Sequence, residues 1–400
     1  MPAIENLPDS ALKDKIVLLR ADLNVPVKNG DICDTTRIDR LKPTIDRLHK
    51  AGAKTLILSH FGRPKGEIKQ EFSLSFLPQK LSQMWGYKVG FCQDITGDHA
   101  KKAAEETPSG DFLLLENIRF RKGEEQNDEQ FAQDLAALGD IYVNDAFSAS
   151  HRSHASIVGI PKYLPSYTGY LMREELDALS GALETPERPL IAIIGGAKIS
   201  TKLNLLGNLS KKADAIILGG GMANTFLYAQ GYKIGASLCE KDMAGQALEI
   251  CKKAEAAQCR IYLPADAVCA QELTRDVKTR QCDISDIPDH MMMLDIGPKS
   301  ASDICDILDT AKTAIWNGPL GAFETSPFDT GTSKIARHLA KLTQDGQLVS
   351  IAGGGDTLSA IEKSGISGKL SYVSTAGGAF LEWMEGKTLP GVAAVAGSKK

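Results

Sequence analysis

Short apolar runs recur along this chain with helix-forming segments between them, and that alternation constrains the fold more than any other feature. Candidate strands lie at 16–20, 55–59, 112–115, 141–143, 190–194, 215–218, 260–263, 291–294, 314–316, 348–352 and 372–374. Segments 130–138 and 244–257 carry apolar residues at helical spacing. Strands that alternate with helices predict α/β architecture with parallel sheets. At 400 residues the chain exceeds one ordinary core. The expected fold is therefore two doubly wound parallel-sheet (Rossmann-like) domains joined by a hinge helix. Residues 169–183 read as that helix through Leu171, Leu176, Leu179 and Leu183, and Pro186 and Pro189 break the chain after it.

The two halves end their strands differently. In the first half the residues after the strands are polar or charged: Asp22, Asn24, His60, Arg63, Arg119, Asn144 and Asp145. In the second half they are glycines: Gly195-Gly196, Gly219-Gly220-Gly221, Gly318 and Gly353-Gly354-Gly355. Ligands of open α/β sheets bind beyond the carboxyl ends of the strands. The halves are thus expected to hold different ligands.

Segment 348–357, Leu-Val-Ser-Ile-Ala-Gly-Gly-Gly-Asp-Thr, runs a buried strand into glycines that let a ligand approach the backbone. The N–H groups that follow can open a helix that favours an anion, and Asp356 offers an oxygen for a phosphate-bound Mg²⁺. A tight strand–helix turn with no ligand fits the same residues. Residues 195–202 repeat the plan, with Lys198 and Lys202 four apart and so on one face if the segment is helical. A solvated amphipathic face is the other reading of that pair. Residues 316–324, Trp-Asn-Gly-Pro-Leu-Gly-Ala-Phe-Glu, form a rigid turn in which Glu324 can hold a ribose hydroxyl or partner a helix terminus. There is no GxxxxGK[ST] loop and no GxGxxG, which counts against a nicotinamide-linked dehydrogenase.

Arg37, Arg63, Arg119 and Arg152 stand in or beside turns of the first half, with His60, His151 and His154 nearby in sequence. Guanidinium groups recognise phosphate and carboxylate through paired donors. Asp22 and Asn24 can bond a substrate hydroxyl. The implied ligand is small, polyanionic and hydroxylated. Individually, each arginine also fits a solvated surface charge.

Bulk properties narrow the class. A net charge of −4 argues against a dedicated nucleic-acid binder. No segment reaches the length of a membrane span. The eight cysteines form no CxxC pair, so free thiols in a reducing, cytoplasmic setting are expected. The first residues show no secretory pattern. Two self-sufficient domains suit a monomer.

Taken in order, these segments resemble the phosphoglycerate kinase family. The match runs through 20–26, 59–64, 116–120, 149–154, 195–202, 219–222, 316–324, 353–357 and 374–378, essentially the whole chain. The resemblance implies reversible phosphoryl transfer between 1,3-bisphosphoglycerate and ADP, giving 3-phosphoglycerate and ATP, with Mg²⁺. It implies a triose-phosphate-binding domain over 1–170 with a carboxyl-terminal tail at about 390–400, and a nucleotide-binding domain over 171–389. Asp22, Leu23, Asn24, Arg37, His60, Phe61, Gly62, Arg63, Arg119 and Arg152 match triose positions. Gly196, Ala197, Lys202, Gly219, Gly220, Asn317, Pro319, Glu324, Gly353, Gly354, Gly355, Asp356 and Thr357 match nucleotide positions, with Asp356 at the metal. Arg37, Lys198, Lys202, Gly377 and Gly378 are the expected catalytic set. The chain departs from the family at Ala376, where a glycine is usual and a methyl disfavours positive φ, and at Phe380, where a small polar residue is common.

Overall fold

Burial on both faces organises the first sheet. In β1 (Ile16–Arg20) Val17, Leu18 and Leu19 are all fully buried, as a strand covered on both sides requires. The structure, a computed structural model, describes residues 1–28 and 30–398. After β1 come a two-strand ribbon, β2 (Val27–Lys28) with β3 (Asp31–Ile32), then β4 (Lys54–Leu58), β5 (Val89–Cys92), β6 (Phe112–Leu115), β7 (Ile141–Asn144) and β8 (Ser166–Thr168). Six of these pair in parallel in the order β5-β6-β4-β1-β7-β8. Arg20, the last residue of β1, stands between Leu58 and Asn144 in register.

The second sheet is built from β9 (Leu190–Ile194), β10 (Ala215–Leu218) and β11 (Arg260–Tyr262), and later β15 (Thr313–Asn317), β16 (Val349–Gly353) and β17 (Tyr372–Ser374). Its parallel order, β11-β10-β9-β15-β16-β17, is the doubly wound order of dinucleotide-binding folds. The strand order reverses between β9 and β15, which puts the expected crevice beside Gly195 and Gly318. Between the two halves of this sheet lie β12 (Asp266–Ala270), β13 (Arg280–Asp283) and β14 (Met292–Ile296), a separate antiparallel sheet ordered β13-β12-β14. The run at 291–294, expected in the parallel sheet, belongs to this small sheet instead. Each large sheet carries its own apolar core.

The chain divides into two compact units, Met1–Leu176 with the residues from Thr388 onward, and Asp177–Lys387. The division falls inside helix Tyr170–Leu183. Helix Pro390–Ala396 belongs to the first unit, where Gly391 N donates to Ser150 O at 2.8 Å. The tail expected at about 390–400 includes Lys399 and Lys400, which lie outside the described residues.

Helix Tyr170–Leu183 starts on a buried carboxylate. Asp145, just after β7, accepts from Thr44 Oγ1 at 2.6 Å and from Met172 N at 2.8 Å. Gly169 makes the approach possible, since a Cβ there would stand 2.2 Å from the Asp145 Cγ. Burial pushes the Asp145 carboxyl up to about 6, against the bonds from Thr44, Met172 and Leu171 and the charge of Arg40. A carboxyl raised above its unfolded value of 3.8 stabilises the fold fully below that pH. The contribution disappears as pH rises through about 6. Asp145→Asn cannot ionise, so relative to wild type it should gain on the order of 3 kcal/mol between pH 4 and pH 7. Unfolding midpoints of both proteins across that range test this. A difference that does not vary with pH sinks it.

Candidate active site

In the first unit the strand ends gather cations around few anions. Asp22, just past β1, accepts from Arg37 Nη1 at 2.8 Å and from Ser148 Oγ, and its other oxygen accepts from Asn24 N at 3.1 Å. Arg37 Nη1 also donates to Asn24 O at 2.9 Å. Asn24 Oδ1 accepts from Gly62 N at 2.9 Å, which ties the loop after β1 to the loop after β4. Arg119 is almost wholly buried, donates from Nη1 to Gly62 O at 2.7 Å and leaves Nε without a hydrogen bond, 3.5 Å from Glu125. Gly62 takes φ +60°, and a Cβ there would strike the Phe72 ring at 2.4 Å. Phe61 is half-buried and edge-on to Phe76, with ring centroids 5.3 Å apart.

Leu23 lies in the apolar core, so only its backbone is available; its N–H donates to Ser59 Oγ at 2.9 Å. His60 is buried beside Arg20, and burial holds its pKa well below the ordinary value, helped by Arg20, Arg152, Arg37 and His154. Arg152 is pushed down first by burial and then by Arg20 and Arg63, with Asp22 pulling the other way. Arg63 is exposed. The structure thus brings Asp22, Asn24, Arg37, His60, Arg63 and Arg152 into one electrostatic neighbourhood, with Arg119, on the loop after β6, bonded to Gly62 on the loop after β4. His151 and His154 make no metal pair: His151 accepts from Arg152 Nε at 3.3 Å, and His154 Nδ1 lies 3.6 Å from the buried carboxylate of Glu124.

In the second unit a cleft of about 330 Å³ opens at the β9–β15 switch point. Gly196, Ala197, Gly220, Pro319, Glu324 and Asp356 line it. Its apolar wall is Leu238, Leu273, Met292, Met293 and Leu294, none of them anticipated from sequence. Four successive methionine and leucine codes at 291–294 were the available signal, and they read equally well as a core strand.

Other expected nucleotide residues are scaffold behind this cleft. Asn317 Nδ2 donates to Gly353 O at 2.7 Å, and Thr357 Oγ1 accepts from Gly318 N at 2.8 Å. Gly219 is packed under Leu320, which a Cβ would meet at 2.4 Å. Lys198 and Lys202 do not share a helical face, because the helix begins only at Leu203. Gly196, in the loop after β9, takes φ +139°. Lys198 is exposed. Lys202 is half-buried, and its ammonium donates to Gly195 O at 2.6 Å, Asn317 Oδ1 at 2.7 Å and Asn317 O at 3.1 Å. Burial lowers its pKa to about 8, opposed by Asp356.

The glycine run divides by position. Gly353 ends β16, Gly354 caps the next helix at φ +101°, and Gly355 opens helix Gly355–Lys363, with exposed Asp356 in its first turn. At the other departure from the family, the positive φ (+54°) falls on Gly377 rather than Ala376, so the methyl sits in ordinary backbone geometry. Gly377 caps helix Gly378–Met384. Phe380 is fully buried and lies against Gly353.

Together these features define a protein of two doubly wound units, each with polar or glycine-rich loops at the carboxyl edge of its sheet. The family model for phosphoglycerate kinase matches residues 7–387. The phosphoglycerate kinase of Brucella abortus biovar 1 (strain 9-941) is 53% identical over 386 residues, 96% of this chain and 98% of that protein. That of Rhodospirillum centenum is 53% identical over 393 residues, covering 98% and 99%. Among solved structures, phosphoglycerate kinase from Coxiella burnetii superposes with a TM-score of 0.92 at 42% identity, covering 98% of each chain. The enzyme from Pyrococcus horikoshii OT3 gives 0.80 at 30% identity, covering 99% and 98%. The chain belongs to the phosphoglycerate kinase family.

The Gly353–Phe380 contact is testable. A Cβ at position 353 would meet the Phe380 ring at 2.8 Å, closer than carbon atoms tolerate. Gly353→Ala should cost about 1–3 kcal/mol by overpacking, and thermal unfolding should fall by several degrees. Adding Phe380→Leu should restore part of the loss. An unchanged melting temperature in the single variant sinks the argument.

Proposed function

We propose that this chain transfers a phosphoryl group reversibly between 1,3-bisphosphoglycerate and ADP, yielding 3-phosphoglycerate and ATP. The observation that carries the reading is the crowding of guanidinium groups at the carboxyl edge of the first sheet. Arg152 is disfavoured as a cation first by burial and then by Arg20 and Arg63, and a polyanionic ligand offsets the repulsion. The triose phosphate is assigned to Asp22, Asn24, Arg37, His60, Arg63, Arg119 and Arg152, with the backbone of Leu23, Phe61 and Gly62. The adenine and ribose are assigned to the apolar-walled cleft and Glu324, and the nucleotide phosphates to the loops that carry Gly196, Ala197, Lys202 and Gly353–Thr357.

Asp356 fits a metal that arrives on the nucleotide. Among the described residues no group of three acidic, His or Cys side chains could hold a resident ion. Mg²⁺ characteristically takes one or two carboxylates together with substrate phosphates. Bound there, Mg²⁺ would neutralise phosphate charge. The remaining steps belong to the chain's own groups. A carboxylate substrate is already ionised at neutral pH, so no side chain need act as nucleophile or base. What transfer demands is in-line placement and neutralisation of the charge spread over the moving group. Arg37, Lys202, Lys198 and the N–H groups of Gly377 and Gly378 are proposed for that task. Joining two ligands held on different units gives helix Tyr170–Leu183 the role of a hinge. Free thiols at all eight cysteines suit a reducing cytoplasm, and a monomer is the simplest working form.

A coupled assay with 3-phosphoglycerate and Mg-ATP tests the reading directly, and absent turnover with both ligands bound would refute it. Arg37→Ala should lower kcat by roughly 10²–10³-fold while changing KM far less. Near-wild-type turnover at saturating substrate removes Arg37 from that role. Lys202 carries its charge below about pH 8 and loses it above. The KM for Mg-ATP should therefore climb as pH rises past 8, and Lys202→Arg should flatten the climb. Equal slopes in both proteins would show that another group is responsible.

A further inference from the structure

Sequence reasoning passed over Arg20, Ser156 and Glu124, yet these three form a buried chain that ends on His60. Arg20 is 1% exposed, and its guanidinium spreads over three acceptors. Nε donates to Ser156 Oγ at 2.9 Å, Nη1 to Ala21 O, and Nη2 lies 3.1 Å from His60 Nδ1. Ser156 donates its single hydroxyl hydrogen bond to Glu124 Oε1 at 2.6 Å, and its backbone N–H donates to Oε2 at 3.0 Å. Glu124 is fully buried, so its charge serves the interior rather than solvent.

The directions of these bonds are fixed by chemistry. A guanidinium donates and has no acceptor site, and it stays protonated in proteins. Ser156 gives its proton to the carboxylate, so towards Arg20 it can only accept. At the other end, His60 Nδ1 must accept as well. An imidazole that accepts through Nδ1 is neutral and carries its one proton on Nε2.

We infer that the Glu124–Ser156–Arg20 chain locks His60 as the neutral Nε2–H tautomer, making Arg20 and Glu124 positioning residues for a ring that meets substrate as a pH-independent hydrogen-bond donor. The last clause rests on the triose site proposed above; the tautomer does not. The charged and titratable groups that act on His60 are Arg20, Arg152, Arg37 and His154, all of one sign when protonated, and they oppose its protonation along with burial. Among the described residues no hydrogen bond is made by Nε2, which leaves that N–H available. The arrangement suits a site already rich in arginine. A further cation would bind any anion more tightly, whereas a directed neutral donor selects for an acceptor oxygen in one place.

Nitrogen-15 NMR of the histidine-labelled full chain, without substrate, tests the tautomer itself. His60 is assigned by the signals missing in His60→Gln. Nδ1 should remain unprotonated and Nε2 protonated from pH 5.5 to 8.5. A protonated Nδ1, or titration with a midpoint between 6 and 7, overturns the inference. In Arg20→Met the Nδ1 lone pair loses its donor while burial and the remaining cations still hold the ring neutral, so the spectrum should show mixed Nδ1–H and Nε2–H tautomers. The KM for 3-phosphoglycerate, taken as a ratio to wild type, should then rise by about twofold to fivefold at pH 6 and at pH 8 alike. Should that variant fail to fold, Ser156→Ala removes only the hydroxyl that orients Arg20, and it should show mixed tautomers. A single unchanged tautomer in both variants would show that the chain does not set it. A wild-type spectrum as expected, in a protein that does not turn over 3-phosphoglycerate, would support the tautomer while refuting the proposed substrate.

Discussion

Parallel pairing is the constraint from which the rest of this structure follows. When every strand of a sheet runs one way, all their carboxyl ends emerge on one edge, and the loops that leave them are forced together. Residues distant in sequence, such as Asn24 and Gly62, therefore meet within 2.9 Å. The same rule assembles Gly196, Pro319 and Asp356 around one cleft. Apolar strand interiors buy this geometry at almost no cost in chemistry: residues 17–19, 56–58 and 191–194 are buried whatever the loops do. Function is then free to occupy the loops.

The loops of the two units meet opposite demands. In the first, cations must be held close without collapsing onto carboxylates, so the anions are few and placed with care. Asp22, itself buried, orients the more exposed Arg37. Glu124 stands behind the cluster, fully buried, and meets it through Ser156 and His154. Removing either carboxylate would leave guanidinium charge uncompensated at low dielectric, which costs far more than a surface ion pair is worth. In the second unit the demand is space. There half-buried Lys202 is satisfied by carbonyl oxygens rather than by a carboxylate, and its partial burial further disfavours the charge.

How much of this the sequence revealed depended on burial. The strands of both large sheets that are apolar throughout, such as β6, β9 and β10, could be read at sight, as could β1 up to Arg20. Val89–Cys92 could not, because Gly90 interrupts it, and neither could Ser166–Thr168, whose edge position needs no apolar run. The polar β13 gave no signal at all. Site residues exposed at loop tips, such as Arg63, Asp356 and Glu324, were legible as types. Arg20 was hidden because it closes an apolar strand and reads as that strand's end. Glu124 was hidden in the polar tract 121–129, where nothing distinguishes a buried carboxylate from its solvated neighbours. A side chain whose task is set by a partner far along the chain leaves no local mark.

Glycines show the same division most sharply. From sequence, the runs at 195–196, 219–221 and 353–355 read either as clearance for a ligand or as tight turns and packing of the protein itself. In the structure most of them clear protein. A Cβ on Gly195 would stand 1.8 Å from the Pro319 carbonyl oxygen, and one on Gly220 would stand 2.7 Å from that of Gly196. Gly353 makes room for Phe380. Gly355 and Gly377 differ, since a Cβ on either would meet no atom within 4 Å. Gly377 still needs its positive φ, which an L side chain resists. Gly355 needs neither space nor unusual backbone from the protein. A residue that no part of its own fold requires to be glycine, on a helix N-terminus beside Asp356, is where clearance for a ligand remains the physical explanation. The run is thus two devices in sequence: Gly353 and Gly354 shape the loop, and Gly355 leaves the helix start open.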